Sequence, residues 1–139
     1  KALELKNLRF GRSASAPLSP VVHKKFEKTF GVKIIETMGL TETAAQILSN
    51  QPTNGKHGSA GKAYGNEVRV IADNGSYLSH GNTGELVIKG DNVLLEYFKN
   101  DEAISGSFNE DDYFLTGDPS VEDEDVFFFI TGRKTELII

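Results

Sequence analysis

Apolar and polar residues follow two different periods along the chain, and the change of period divides it. Between Ser19 and Gly31, Val22, Phe26 and Phe30 recur every four residues, with His23, Lys24, Lys25, Glu27 and Lys28 on the intervening positions. That spacing predicts a helix with one apolar stripe. Its ends carry matching chemistry. Ser19 can cap the first turn, Pro20 suits the first helical position, where no N–H is needed, and Gly31 suits a left-handed residue closing the helix. The lysines of the later turns complement the helix dipole. Val32 to Glu36 follow directly, short and β-branched, and predict a buried strand. Helix and strand together make one αβ unit.

After about residue 55 the period shortens. Val68 to Ile71 read as a strand running into the turn Asp73-Asn74-Gly75-Ser76. Gly81-Asn82-Thr83-Gly84 leads into Glu85 to Lys89, with Leu86 and Ile88 on one face. Tyr113 to Thr116, the Phe-rich run Val126 to Thr131, and Lys134 to Ile139 predict three more short strands. Strands this short, separated by Gly, Asn and Asp, predict a small antiparallel barrel or sandwich. The expected fold class is α+β: a small distorted antiparallel β-barrel subdomain plus a helix–strand piece of an αβ layer. The predicted division is 1–54 and 55–139. Both ends of the chain read as cuts through a larger domain, since it starts within one strand pattern and stops on the apolar run "ELII".

Composition narrows the function classes. The 139 residues are 38% hydrophobic and 25% charged, outside the range of disordered tails and membrane spans. Fifteen basic against 20 acidic side chains give a net charge of −5, which argues against an electrostatic nucleic-acid binder. With no cysteine, disulfide scaffolds, zinc–cysteine sites and thiol nucleophiles are excluded. The cysteine-free composition and the lack of a signal pattern at the N-terminus lead to an expected cytoplasmic location. The three histidines, His23, His57 and His80, show no metal-site spacing and read as surface or turn residues.

Three segments offer chemistry. Met38-Gly39-Leu40-Thr41-Glu42-Thr43 leaves a strand end, which sets a hydroxyl and a carboxylate at a cleft mouth. The hydroxyl of Thr41 can donate to a phosphate oxygen and the carboxylate of Glu42 can hold Mg²⁺; the same residues also suit the start of a helix. Asp118, in Thr116-Gly117-Asp118, can accept both hydroxyls of a ribose diol, or serve as a turn aspartate bonding its own backbone. Arg133 offers a fixed fork of donors for a polyol or phosphate, and in isolation reads equally as a surface arginine.

Taken in order, these segments resemble the adenylate-forming superfamily of acyl-CoA synthetases, aryl-CoA ligases, luciferases and peptide-synthetase adenylation domains. "SASAPLSP" is similar to the family's small-residue loop and "MGLTET" to its Y-G-x-T-E element. "GSAGKAYG", "TGELVIKGDNVLLEYFKNDEAISGSF", "DDYFLTGD" and "FFFITGRKTELII" follow in the family's order, so the resemblance covers residues 11–139. It implies an enzyme that activates a carboxylic acid with ATP, giving acyl-AMP and pyrophosphate, then transfers the acyl group to coenzyme A. It also implies roles. Thr41 would touch the phosphate and Glu42 would hold Mg²⁺, with Ser15, Ala16 and Pro17 letting the nucleotide approach. Met38 would stand at the adenine, Gly39 would keep the acyl channel open, and Asp118 with Arg133 would grip the ribose.

Several positions depart from the family pattern. Met38 replaces an aromatic residue. Glu96, Asp112 and Val126 replace turn glycines, Pro119 an aliphatic residue, and Thr135 a hinge Lys or Asp. Those departures keep a second reading in view, a degenerate non-catalytic copy acting as an interaction module. The chain is read as a piece of a larger ligase, inactive alone. Truncated edges around Ile34, Ile35 and Leu137 to Ile139 are expected to be exposed and to promote self-association.

Overall fold

In the computed structural model of the protein, residues 5, 7–100 and 104–132 are described. Helix α1 runs Pro20–Phe30 and ends on Gly31, which takes φ 65° and donates its N–H to the Glu27 carbonyl. The end signals therefore act as their chemistry predicts, except that the Ser19 side chain makes no cap hydrogen bond. The predicted apolar stripe is corrected. Val22 and Phe30 are exposed, and the buried residue of α1 is His23. The helix turns towards its neighbouring strand the face that carries hydrogen-bonding groups.

That strand is β2 (Lys33–Gly39), which pairs in parallel with β1 (Phe10–Ser13) and antiparallel with β3 (Gln46–Ser49). β3 pairs in turn with the short β4 (Lys62–Ala63). The second sheet is wholly antiparallel, in the order β5 (Glu67–Ile71), β6 (Thr83–Lys89), β7 (Phe114–Glu122) and β8 (Phe128–Ile130). It forms a curled half-barrel. The sheets meet where Ala60 N–H donates to the Phe128 carbonyl at 2.8 Å and Phe128 N–H to the Gly61 carbonyl at 2.9 Å.

The main core fills the space behind that junction. Ile47 and Leu48 come from β3, Val68 and Val70 from β5, Leu86 and Ile88 from β6, and Phe128 from β8. Leu86 and Ile88 do share one face, as their alternation predicts. Val87, between them, packs with Ile71 and Tyr113 on the opposite face, so the central strand is covered on both sides. Ile35 is buried and Ile34 half-buried, which corrects the expectation of an exposed edge there; Leu137 to Ile139, with the predicted strand at 134–139, lie outside the described residues.

β7 is longer than predicted. It carries on through Gly117, Asp118 and Pro119, where the register against β6 shifts between Glu85 and Val87. Pro119 has no N–H to give, but its carbonyl accepts the Thr131 N–H at 2.8 Å and so keeps the ladder to β8.

Two of the replaced glycines keep the backbone that glycine favours. Asp112 has φ 63° and Val126 φ 58°. Aspartate tolerates this region; a β-branched residue does so only under strain. Asp123 Oδ1 holds the Val126 turn closed by accepting the N–H groups of Asp125 and Phe127. Val126 is 41% exposed, so it gains little from burial. Val126→Asn is expected to raise unfolding free energy by about 1 kcal/mol, read as a higher urea midpoint at unchanged slope. An unchanged or lower midpoint would contradict strain at this turn.

Candidate functional site

The loop after β1, the C-terminal end of β2 and the middle of β7 surround a cleft of about 420 Å³. That volume lies in the range of small-molecule sites, roughly 300–1,000 Å³. Ser15, Ala16 and Pro17 from the loop after β1, Met38 and Gly39 from β2, Asp118 from β7 and Gly132 just after β8 all line it. Residues about a hundred positions apart in sequence thus converge, because β7 lies beside β8 and β8 is stitched to the segment before β4. A second recess adjoins it, sharing Ser15, Met38 and Gly39 and extending to Arg12, Thr41 and Gln46.

Thr41 therefore reaches the second recess rather than the main cleft, and Glu42 lines neither. Both sit on a 3-10 turn, Thr41–Thr43. The Glu42 carboxylate accepts the Tyr97 hydroxyl at 3.0 Å, and its backbone carbonyl accepts the Leu94 N–H at 2.7 Å. Burial, then the neighbouring carboxylate, pushes the Tyr97 hydroxyl above its ordinary pKa, so it remains a donor. Asn92 adds a third tie, donating to the Thr43 carbonyl at 2.7 Å. The buried Thr43, which the sequence reading left without a role, anchors the turn: its Oγ1 accepts the Leu40 N–H and lies 2.9 Å from the Ala45 carbonyl.

Asp118 is buried in β7 at the cleft wall. Its N–H donates to Thr116 Oγ1 at 3.1 Å, and that hydroxyl donates onward to the Leu86 carbonyl at 2.8 Å. The left-handed Gly117 between them lets the strand bulge without breaking. Gly39 has a local reason to be glycine. A Cβ there would stand 2.4 Å from the Ala45 carbonyl oxygen, so the close approach of β2 to the segment entering β3 requires it. Ser15 takes φ 73°, a left-handed turn in the small-residue wall. Arg133 lies outside the described residues, directly after Gly132.

Sequence reasoning missed Glu36, a buried carboxylate of β2 that lines the cleft. Its Oε1 accepts the Leu18 N–H at 3.1 Å; its Oε2 accepts the Gly58 N–H at 3.1 Å and lies 3.3 Å from His23 Nδ1. One side chain thereby fixes the wall after Pro17 and the 56–60 loop against β2. An acidic residue inside a β-branched run was the available signal, since a buried carboxylate must have partners. The same contacts correct the surface reading of His23, which is buried between Glu36 and the Ile34 carbonyl. Arg12 was also overlooked; it donates to Thr37 Oγ1 at 3.3 Å and to Gln46.

Away from the cleft lining, Glu27 Oε1 accepts the Ile34 N–H at 3.1 Å, while Oε2 faces His57 at 3.1 Å and Lys33 at 3.3 Å. Burial pushes the Glu27 carboxyl up, but the Ile34 N–H, the His57 ring and the Lys33 ammonium outweigh it and hold the pKa down to about 2.

Residues 1–98 match the AMP-binding enzyme family. The chain belongs to that family. Among curated relatives it is similar to the sulfoacetate–CoA ligase of Cupriavidus necator, with 42% identity over 134 residues, covering 95% of this chain and 26% of that protein. Among solved structures it is similar to an anthranilate CoA ligase in complex with anthranoyl-AMP, at TM-score 0.85 and 30% identity, covering 94% of this chain and 25% of that one. It also resembles the O-succinylbenzoate coenzyme A synthetase of Bacillus subtilis in complex with ATP and magnesium, at TM-score 0.86 and 27% identity, covering 100% of this chain and 29% of that one. The chain thus spans about a quarter of the length of the curated relatives it matches.

Proposed function

We propose that the chain is the part of an ATP-dependent acid–CoA ligase that receives the nucleotide's ribose and base. One observation carries this reading: the small-residue wall, Met38, Gly39 and the buried Asp118 share a single cleft. In it, Asp118 accepts the ribose hydroxyls, with Arg133 assisting, and Met38 offers adenine a polarizable apolar surface. Ser15, Ala16 and Pro17 admit the nucleotide closely because they carry little bulk.

Thr41, at the adjoining recess, would donate its hydroxyl to a phosphate oxygen on this reading. Glu42 offers one carboxylate, with Oε1 accepting the Tyr97 hydroxyl, and a lone carboxylate suits Mg²⁺, a cation held by one or two carboxylates together with waters and phosphates. Bound there, Mg²⁺ would offset the charge that accumulates when a carboxylate approaches the α-phosphate. The Tyr97 hydroxyl and the backbone ties to 92–94 hold the Glu42 carboxylate in a set orientation for that task. Activation of the acid as acyl-AMP, with release of pyrophosphate and transfer to coenzyme A, is the whole protein's reaction on this reading. We take residues 1–54 as the end of an AMP-binding αβ subdomain and 55–139 as the barrel subdomain. The second sheet, built from residues 67–130, falls wholly within the second part, while β4 at 62–63 pairs back onto the first. Self-association is kept in the proposal, supported by the exposed Val21, Leu95 and Phe98.

The test compares AMP with its 2′-deoxy analogue by calorimetry on the 139-residue chain. AMP is expected to bind about tenfold or more tightly than the deoxy compound, and Asp118→Ala to erase that difference. Equal binding of the two by the unsubstituted chain would remove the ribose role. The chain alone is expected to show no acid-dependent pyrophosphate exchange; measurable exchange would make it a complete catalyst.

A further inference from the structure

The face that α1 turns to β2 carries a group of side chains outside the nucleotide cleft. His23 and Glu27 lie four residues apart on the helix, and His57 reaches them from the loop before β4. His23 Nε2 stands 3.5 Å from Glu27 Oε1, His57 Nε2 stands 3.1 Å from Glu27 Oε2, and one donor atom from each of the three falls within 4.8 Å of the others. The two imidazoles meet edge to face, with ring centres 4.2 Å apart. From this geometry we propose that His23, Glu27 and His57 form a binding site for a divalent transition-metal cation of the zinc class.

Four physical observations support it. Two imidazole nitrogens and a carboxylate oxygen are the donors such cations prefer, and three protein ligands leave a position for water. The two imidazoles approach opposite oxygens of the one Glu27 carboxylate, and a donor atom from each of the three residues lies within 4.8 Å of the others, near enough for a single cation to draw them together with small side-chain movements. Behind the site, His23 Nδ1 faces Glu36 Oε2 at 3.3 Å. A carboxylate on the far nitrogen fixes the ring's tautomer and presents the other nitrogen to a metal. Charge also closes. Two neutral imidazoles, Glu27 and Glu36 together offset a dication.

Two existing contacts must yield. Lys33 Nζ, 3.3 Å from Glu27 Oε2, is largely exposed and can swing into water. His23 Nε2 also lies 3.0 Å from the Ile34 carbonyl, and because a cation bonded to that nitrogen would crowd the oxygen, the imidazole must turn away from it for the metal to enter. The bound cation would clasp α1 to the 56–60 loop, and so to the cleft wall that Glu36 holds from its other side. The site is independent of the nucleotide proposal, because none of its three ligands lines the cleft.

The test titrates the full 139-residue chain with Zn²⁺ by calorimetry and with Co²⁺ by visible absorption. One equivalent is expected to bind, with tetrahedral-type cobalt bands, unaffected by excess Mg²⁺. Glu27→Gln and His57→Ala are each expected to weaken uptake tenfold or more, by roughly the loss of a metal-site residue. His80→Ala, at the separate His80–Glu122 pair, is expected to leave uptake unchanged. Circular dichroism checks folding, and His57→Gln replaces His57→Ala should the latter unfold. Failure to bind either cation overturns the proposal. So does uptake that survives both ligand substitutions, or uptake abolished by His80→Ala.

Discussion

Phe128→Ala is expected to lower unfolding free energy by about 3–5 kcal/mol, among the largest effects available in this chain. The ring is essentially fully buried, in the cluster that joins Ile47 and Leu48 of one sheet to Val68, Leu86 and Ile88 of the other. Removing it costs the transfer free energy of an aromatic side chain and leaves a cavity among close-packed neighbours that belong to two sheets. Collapse to fill it would require the sheets to shift across hydrogen bonds at 2.8 and 2.9 Å. Domains of this size are stable by about 5–15 kcal/mol, so the variant is expected to be marginal, with a melting temperature lower by roughly 10–20 °C. Differential scanning calorimetry reads the shift directly. A loss under about 1 kcal/mol would show that the core tolerates a void there.

Gly61→Ala comes second and tests the same junction from the backbone side. Gly61 has φ 103°, and a Cβ added there would lie 1.9 Å from the Ser49 carbonyl carbon and 2.2 Å from Asn50 N. Neither obstacle is the movable tip of a side chain. The methyl group must push β3 and the 60–61 segment apart, opening the pairing with β4 and the bonds to Phe128. A cost on the order of 3 kcal/mol or more is expected, from backbone strain and overpacking together. Gly75→Ala is the matched control. Its φ is 82° but nothing stands within 4 Å of the added carbon, so only the conformational penalty of about 1 kcal/mol remains. Equal costs at the two positions, measured by urea unfolding, would show that φ rather than backbone contact governs Gly61.

What could be read in advance follows a physical divide between local and non-local causes. Pro20 and Gly31 bracket α1 because their effects act on their own backbone. The strand patterns at 68–71 and 85–89 are legible for a similar reason, since alternation records which face meets the core. β3 left no such trace: four residues, Gln46–Ser49, are held by neighbours on both sides, and no turn residues mark its start. Thr116 to Pro119 look like a break because glycine and proline are local breakers. The strand passes through them because β7 itself bulges there against β6, and β8 still receives the Pro119 carbonyl. The face of α1 was misread for a related reason. Periodicity counts apolar residues, whereas a histidine with a carboxylate and a carbonyl waiting for it is buried just as well. In the site, motif order led to Ser15, Met38 and Asp118, but nothing in one dimension shows that Glu36 ties Leu18 to Gly58.

The junction of the sheets also orders events in time. The pairs β5–β6 and β6–β7 join positions less than forty residues apart, and such pairings form earlier than longer-range ones because less loop entropy opposes them. The bonds between Phe128 and residues 60–61, and the Lys56–Asp123 pair beside them, join positions more than sixty residues apart. They can form only after the half-barrel has nearly assembled, so the approach of the Asp118 strand to the first sheet, which closes the cleft, is completed last. Backbone amides at 60 and 128 should then be the clock of the molecule, gaining protection from hydrogen exchange after the hairpins have it. The cleft becomes a late product of folding, and the first feature lost when the two sheets part.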